Sequence, residues 1–289
     1  MPNSIALISK YVALLDEVYA KESCTADLEA NPAFVRQGAQ ANEILIPKMD
    51  MDGLGDYSRT DGYASGSVNL EWQTKTFDYD RGRKFTVDAM DNEETAAISF
   101  GMLASQFVRT KVAPETDAYR FAKYAGLAGT AVTQDLSLID DFCAAVCDAN
   151  TLMDEEEVPS EGRILYVTPT LHNGIQRLDN YKSKEMFSGF SKIVRVPQKR
   201  FYSAVDLLDG KADDELMGGY RKAEGGKNLN FMIISPAAVM QYTKHRVNKT
   251  ISPEANQSAD AWMHFYRAYG LAEVYDNKKM GIYSSMASV

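Results

Sequence analysis

The sequence has few of the residues that most often carry chemistry. It holds three histidines and three cysteines among 289 residues. His172, His245 and His264 stand outside metal-ligand spacing of one another, of any cysteine and of any paired carboxylate. Cys143 and Cys147 lie one helical turn apart, but a structural zinc site needs four ligands and no further Cys or His pair supplies them. We therefore expect no metal and no cofactor. With Cys24 as the third, the cysteines give no even-numbered disulfide framework and read as reduced thiols. There is no G-x-S-x-G, no phosphate-binding G-x-x-x-x-G-K-[ST] and no G-x-G-x-x-G after a strand. The neighbouring carboxylates Asp140 and Asp141, like Asp213 and Asp214, would point in different directions on a helix. No catalytic residue is assigned, and the chain is not expected to be an enzyme.

Long apolar runs are missing too. None approaches the roughly 20 residues that cross a bilayer, so no membrane partner is expected. Asp16 and Glu17 interrupt the apolar face of the N-terminal segment and no basic region precedes it, which excludes a secretory signal and implies synthesis in a cytoplasm. Basic residues are outnumbered, 31 against 40 acidic ones, for a formal charge of −9. Sequence-specific DNA binding would call for a basic face. The clusters Lys192, Arg195, Lys199, Arg200 and Lys244, His245, Arg246, Lys249 read as solvated faces or inter-subunit ion pairs.

What is present is a folded, patterned chain, 45% hydrophobic and 25% charged, long enough for one large domain or two smaller ones. Ile5, Ile8, Val12, Leu15 and Tyr19 form a helical stripe that must dock on another surface. Pro32 then ends any helix, and Ile44 to Pro47 reads as a short strand. The stretch Asp50 to Gly66, with Gly53, Gly55 and Gly62, has no periodicity and reads as a loop. Val68, Leu70, Trp72, Thr74 and Thr76 alternate with polar residues, as do Phe85, Val87 and Ala89. With Gly82 in the intervening Asp80 to Arg83, this pattern predicts a projecting hairpin that needs a partner surface.

Asp91 or Asn92 is placed to cap a helix along which Ala96, Phe100, Leu103 and Phe107 form one face. Pro114 should kink it near Ala113, and Gly126 and Gly129 should end it. Leu136, Ile139, Cys143 and Val146 give a further helical stripe. The apolar runs Arg163 to Val167 and Phe231 to Ile234 each lead into a hydroxyl residue and a proline, Thr168-Pro169 and Ser235-Pro236, the start signal of a helix. Two such units imply a mixed sheet covered by helices, hence an α+β chain. Asp206 to Asn230 reads as an insertion, and Val274 and Tyr275 are expected to pair with Ile282 and Tyr283.

Several runs resemble the major capsid proteins of tailed bacteriophages. They are Leu70-Glu71-Trp72, Asp80 through Thr95, Val112 through Tyr119, Val158 through Pro169, and Arg267 through Tyr275 with Gly281-Ile282-Tyr283. The resemblance implies the Hong Kong ninety-seven type capsid fold. Carried over, residues 1–52 would be an N-terminal arm and 53–90 an extended loop turning at Asp80 to Arg83. Residues 91–129 and 246–289 would be a peripheral domain with a spine helix, and 130–245 an axial domain. It also implies inter-subunit contacts through Leu70, Trp72, Phe77, Arg81, Gly82, Arg83 and Phe85 of the loop, with arm docking through Ile5, Ile8, Val12, Leu15 and Tyr19. The implied partners are further copies in pentamers and hexamers, a portal, a separate scaffolding protein, and packaged double-stranded DNA held non-specifically. The implied location is the virion, after synthesis in a bacterial cytoplasm. Alternatives are the shell of a cellular nanocompartment with the same fold, or an enzyme on a mixed α/β sheet.

Overall fold

The structure, a computed structural model, describes residues 22–29, 36–37, 42–60, 62–94, 98–177, 181–213 and 215–288. Residues 22–29 include a 3-10 turn, Ala26–Leu28. The strands β1 (Arg36–Gln37), β2 (Glu43–Met51), β3 (Val68–Thr76) and β4 (Tyr79–Asp88) lead into α1 (Ala89–Glu94) and α2 (Ile98–Phe107). A π turn, Val108–Val112, joins α2 to α3 (Ala113–Leu127). The chain continues through β5 (Thr130–Gln134), α4 (Ile139–Glu155), β6 (Ile164–Val167), α5 (Pro169–Gln176), α6 (Tyr181–Ser188) and β7 (Lys192–Arg195). It ends with the hairpin β8 (Val205–Leu208) and β9 (Gly219–Lys222), then β10 (Leu229–Ile234), β11 (Val239–Ile251), β12 (Ala261–Val274) and β13 (Ile282–Ala287).

Three larger sheets result, ordered β1-β2-β3, β5-β13-β10-β6-β7 and β11-β12-β4. The five-stranded sheet explains why β6 and the stretch Phe231 to Ile234 of β10 are apolar throughout. Tyr166, Met232 and Ile234 face a cluster around Phe121, Tyr124 and Phe201, whereas Leu165, Val167, Phe231 and Ile233 face Phe142, Val146, Ala149 and Met153 of α4. A strand covered on both sides needs apolar residues at every position. Each such side chain, fully buried, contributes about 1.5–3 kcal/mol.

Four expectations are corrected. First, the hairpin between Val68–Thr76 and Phe85–Ala89 does not form. β3 pairs with β2, from Glu43 opposite Thr76 to Met51 opposite Val68. β4 pairs along its whole length with β12, from Asp88 opposite Ala261 to Tyr79 opposite Gly270. Alternation identifies a strand but not its partner. Gly82 sits mid-strand opposite Arg267, where a Cβ would stand 2.8 Å from the Tyr266 carbonyl oxygen, so it serves close backbone approach and not a turn.

Second, the last two strands of the long sheet run from Val239 to Ile251 and from Ala261 to Val274. Val274 and Tyr275 do not pair with Ile282 and Tyr283. The 3-10 segment Asp276–Gly281 carries the chain across, and β13 lies between β5 and β10 in the five-stranded sheet. Ile282 to Ser285 are all buried there, which a two-stranded edge ribbon could not provide.

Third, α1 begins at Ala89, and its capping oxygen belongs to Asp88, which accepts from the Met90 N–H at 2.9 Å. Fourth, neither Thr168 nor Ser235 caps through its hydroxyl; Pro169 opens α5, but Pro236 opens only a 3-10 turn. The interruption at Pro114 takes the form of the π turn, with the Ala113 N–H bonded to the Val108 carbonyl. The wider turn leaves the proline, which has no N–H to give, in the first turn of α3.

Candidate assembly surfaces

The ribbon of β2 and β3 has two different faces. Ile44 and Ile46, opposite Lys75 and Gln73, are buried at its base against Met240 and Leu271. Phe77, just past β3, joins the same cluster and lies 4.9 Å from the Tyr269 ring, with the Lys244 ammonium 5.1 Å from its own ring centroid. Lys75 reaches Glu273 and Asp276, each at 3.7 Å. These contacts fix the base to β11 and β12.

The other face is an apolar ladder of cross-strand pairs, Pro47 with Trp72, Met49 with Leu70, and Met51 with Val68. Here Trp72 is 37% exposed, Leu70 48%, Met49 54%, Met51 62% and Val68 69%. Past the ladder, Ser58 and Gly62 form a small turn by reciprocal backbone hydrogen bonds. Tyr57 and Tyr63 flank it with ring centroids 4.9 Å apart, and both are exposed along with Leu54. Of the thirteen large exposed hydrophobic side chains among the described residues, eight lie on this ribbon. Scattered surface hydrophobics are ordinary; a contiguous row on one face marks a contact surface.

The structure thus divides the seven loop residues expected at an inter-subunit contact. Leu70 and Trp72 lie on the exposed ladder. Phe77 is 8% exposed and belongs to the subunit's own core. Arg81, Gly82, Arg83 and Phe85 lie on β4. Arg81 donates to Glu115 of α3 at 2.7 Å and to the Gly219 carbonyl at 3.2 Å, while Arg83 donates to the Leu216 carbonyl at 2.8 Å. The Phe85 ring meets that of Phe107 edge-on at 4.7 Å. Arg81, Arg83 and Phe85 tie the long sheet to α2, α3 and the β8–β9 hairpin, while Gly82 admits the backbone of β12. The hairpin's loop in turn exposes Leu216 and Met217. Ile5, Ile8, Val12, Leu15 and Tyr19 lie outside the described residues.

Sequence reasoning missed two features. One is that the short strand expected at Ile44 to Pro47 runs on to Met51 and pairs with β3, hidden because Pro47 sits mid-strand and the Gly-rich stretch separates the partners. The other is Asp117, fully buried in α3 and bonded to residues 23–25. Its trace in the sequence is an acidic residue between Thr116 and Ala118, both of which are buried. Among the described residues, no group of three or more His, Cys, Asp or Glu side chains could hold a metal ion, and no helix is long and apolar enough to cross a membrane.

No protein-family model and no curated protein matches the sequence. Solved structures do match in fold. A structure from Mycobacterium phage Che8 aligns over 90% of this chain and 89% of its own, with TM-score 0.60 and 14% identity. The asymmetric unit of the bacteriophage PhiM1 mature capsid aligns over 86% and 83%, with TM-score 0.58 and 11% identity. A virus-like particle from Pyrococcus furiosus aligns over 98% and 99%, with TM-score 0.55 and 9% identity. The chain has the α+β capsid fold of tailed phages, as the sequence resemblance implied.

Proposed function

We propose that this chain is the major capsid protein of a tailed bacteriophage. Its copies associate into pentamers and hexamers and close into a shell around double-stranded DNA, in the virion, after synthesis in the bacterial host. The observation that carries this reading is the exposed apolar ladder of the ribbon on a chain of capsid fold. A solitary soluble domain has no use for such a row, whereas an inter-subunit contact buries it. In this reading the extended loop spans residues 43–76, the long sheet with α2 and α3 is the peripheral domain, and the five-stranded sheet with α4 to α6 is the axial domain. The role is structural, and a portal and a scaffolding protein are its further partners. With a charge of −9, the chain contains DNA without reading its sequence. Light scattering and electron microscopy across a concentration series test the proposal. Closed particles or ring-shaped capsomers are expected; monomer at every concentration, with scaffolding partner supplied, contradicts it.

A second reading, the shell of a cellular nanocompartment, is favoured by one observation: the Pyrococcus furiosus particle matches over nearly the full length of both chains. The contents discriminate. Nuclease-protected duplex DNA in particles from the native source supports the phage shell, and a protein cargo supports the compartment.

A further inference from the structure

Residues 22–29 cross the join between the two large sheets, and their grip is mostly polar. Asp117 of α3 is at its centre. One carboxylate oxygen accepts from the Ser23 hydroxyl at 2.8 Å, the Thr25 hydroxyl at 2.9 Å and the Thr25 N–H at 3.3 Å. The other accepts from the Cys24 N–H at 2.9 Å and from Arg200 at 3.2 Å. Arg200, in the 3-10 turn that follows β7, also donates to the Glu22 carbonyl at 2.9 Å. Around this centre, Arg120 donates to the Thr25 hydroxyl oxygen at 3.0 Å and reaches Glu29 at 3.4 Å. Gln241 of β11 donates to the Thr25 carbonyl and to Glu29, both at 2.8 Å, and accepts from the Tyr124 hydroxyl at 3.0 Å. At the far edge, Lys192 of β7 meets Asp27 at 2.5 Å.

The segment therefore touches both modules at once, β7 and its following turn on the five-stranded side and β11 on the long-sheet side, with α3 between them. Asp117, Thr25 and Gln241 are fully buried, and Arg120 is nearly so. The charges balance, Asp117 and Glu29 against Arg200 and Arg120. A balanced buried network is rigid when complete and costly when one member is lost. Its apolar share is small, since Leu28 alone of these residues is a buried hydrophobic in the main core. The closing of this network and the docking of the segment are one event.

We infer that residues 22–29 form a latch, with Asp117 as its keystone, that ties the β7 edge of the five-stranded module and the β11 edge of the long-sheet module to α3, over the apolar core the two modules share; releasing it loosens both edges together. This goes beyond the shell reading, since it concerns one subunit and holds whether or not copies associate.

Asp117→Asn tests the latch with almost no change of shape. Either orientation of the amide sets an N–H against a backbone N–H, that of Cys24 on one side and that of Thr25 on the other. Cys24 is a built-in reporter, because its half-buried thiol lies 3.8 Å from the Arg195 carbonyl oxygen of β7 and burial holds it protonated. Peptide-resolved alkylation of the full-length protein reads its accessibility, and hydrogen exchange reads residues 192–200 and 239–243. In Asp117→Asn, Cys24 alkylation should rise about tenfold or more, since local opening sets its rate. Exchange at both edges should rise with it, while β10 in the centre of the five-stranded sheet stays protected. Faster Cys24 alkylation with unchanged exchange at both edges would make the segment a passenger and overturn the inference; so would no change in either. If Asp117→Asn does not fold, the milder Ser23→Ala/Thr25→Val variant removes two hydroxyl donors and leaves the carboxylate in place. It should give the same paired response at smaller size, and an unpaired response overturns the inference equally.

Discussion

Replacing Met49 and Leu70 together by serine separates assembly from folding. They are cross-strand partners on the exposed face of the ribbon, each about half exposed in the subunit. Full burial of such a side chain is worth about 1.5–3 kcal/mol, so the half still open to water offers roughly 1 kcal/mol per residue to a partner surface. The pair then contributes about 2 kcal/mol per ribbon, and losing it should raise the threshold concentration for assembly roughly 30-fold, at a tenfold change per 1.4 kcal/mol. The subunit itself should barely register the change, because the ribbon is fixed to the body at its other end through Ile44, Ile46 and Phe77. Static light scattering against concentration gives the threshold, and thermal unfolding of dilute subunit gives the stability. An unchanged threshold with a melting temperature lowered by several degrees would refute the reasoning, since it would place the ladder in the subunit's own core.

The complementary variant is Phe77→Ala, which empties a buried aromatic site and should cost the subunit about 3–5 kcal/mol, measured by denaturant unfolding. Gly82→Val should destabilise the subunit by about 1–3 kcal/mol, because its side chain must displace the Tyr266 carbonyl; a neutral effect would argue against β4 pairing with β12. Burial, reinforced by the Asp117 carboxylate, pushes the Cys24 thiol from the ordinary 9.0 up to about 12. The folded state therefore holds that proton more tightly than the unfolded chain. The stability this provides is whole below pH 9 and is lost as pH rises from 9 through 12, so Cys24→Ala should flatten the alkaline fall of an unfolding-versus-pH curve.

Which parts were legible in the sequence follows from what each pattern encodes. The apolar runs of β6 and β10 announce strands covered on both faces, and β10 does lie beside β6. The stripe Leu136, Ile139, Cys143 and Val146 locates α4, although Phe142 and Ala149, buried against the sheet beside Val146, fall outside it while Ile139 and Cys143 are only partly buried. Partner choice was not legible. Val68–Thr76 and Tyr79–Asp88 are adjacent in sequence and both alternate, yet each finds a distant strand, since a period of two fixes which face is covered and not which edge is paired. Gly82 misled for the same reason: a glycine that admits a neighbouring backbone looks the same in sequence as one that takes positive φ. Asp117 was invisible because its five donors are set by tertiary structure, three of them backbone or arginine groups that no local motif marks.

Electron microscopy of the intact protein beside a variant with residues 47–72, the apolar ladder and the loop beyond it, replaced by a short Gly/Ser turn tests the central claim most directly. The intact chain should form closed shells or capsomers in which each ribbon lies on a neighbouring copy. The shortened chain should remain folded by circular dichroism, and its particles should be fewer or absent. Equal yields of identical particles from both chains would contradict the assembly role of the ribbon, and discrete monomers from both, at every concentration and with scaffolding partner present, would contradict the shell function itself.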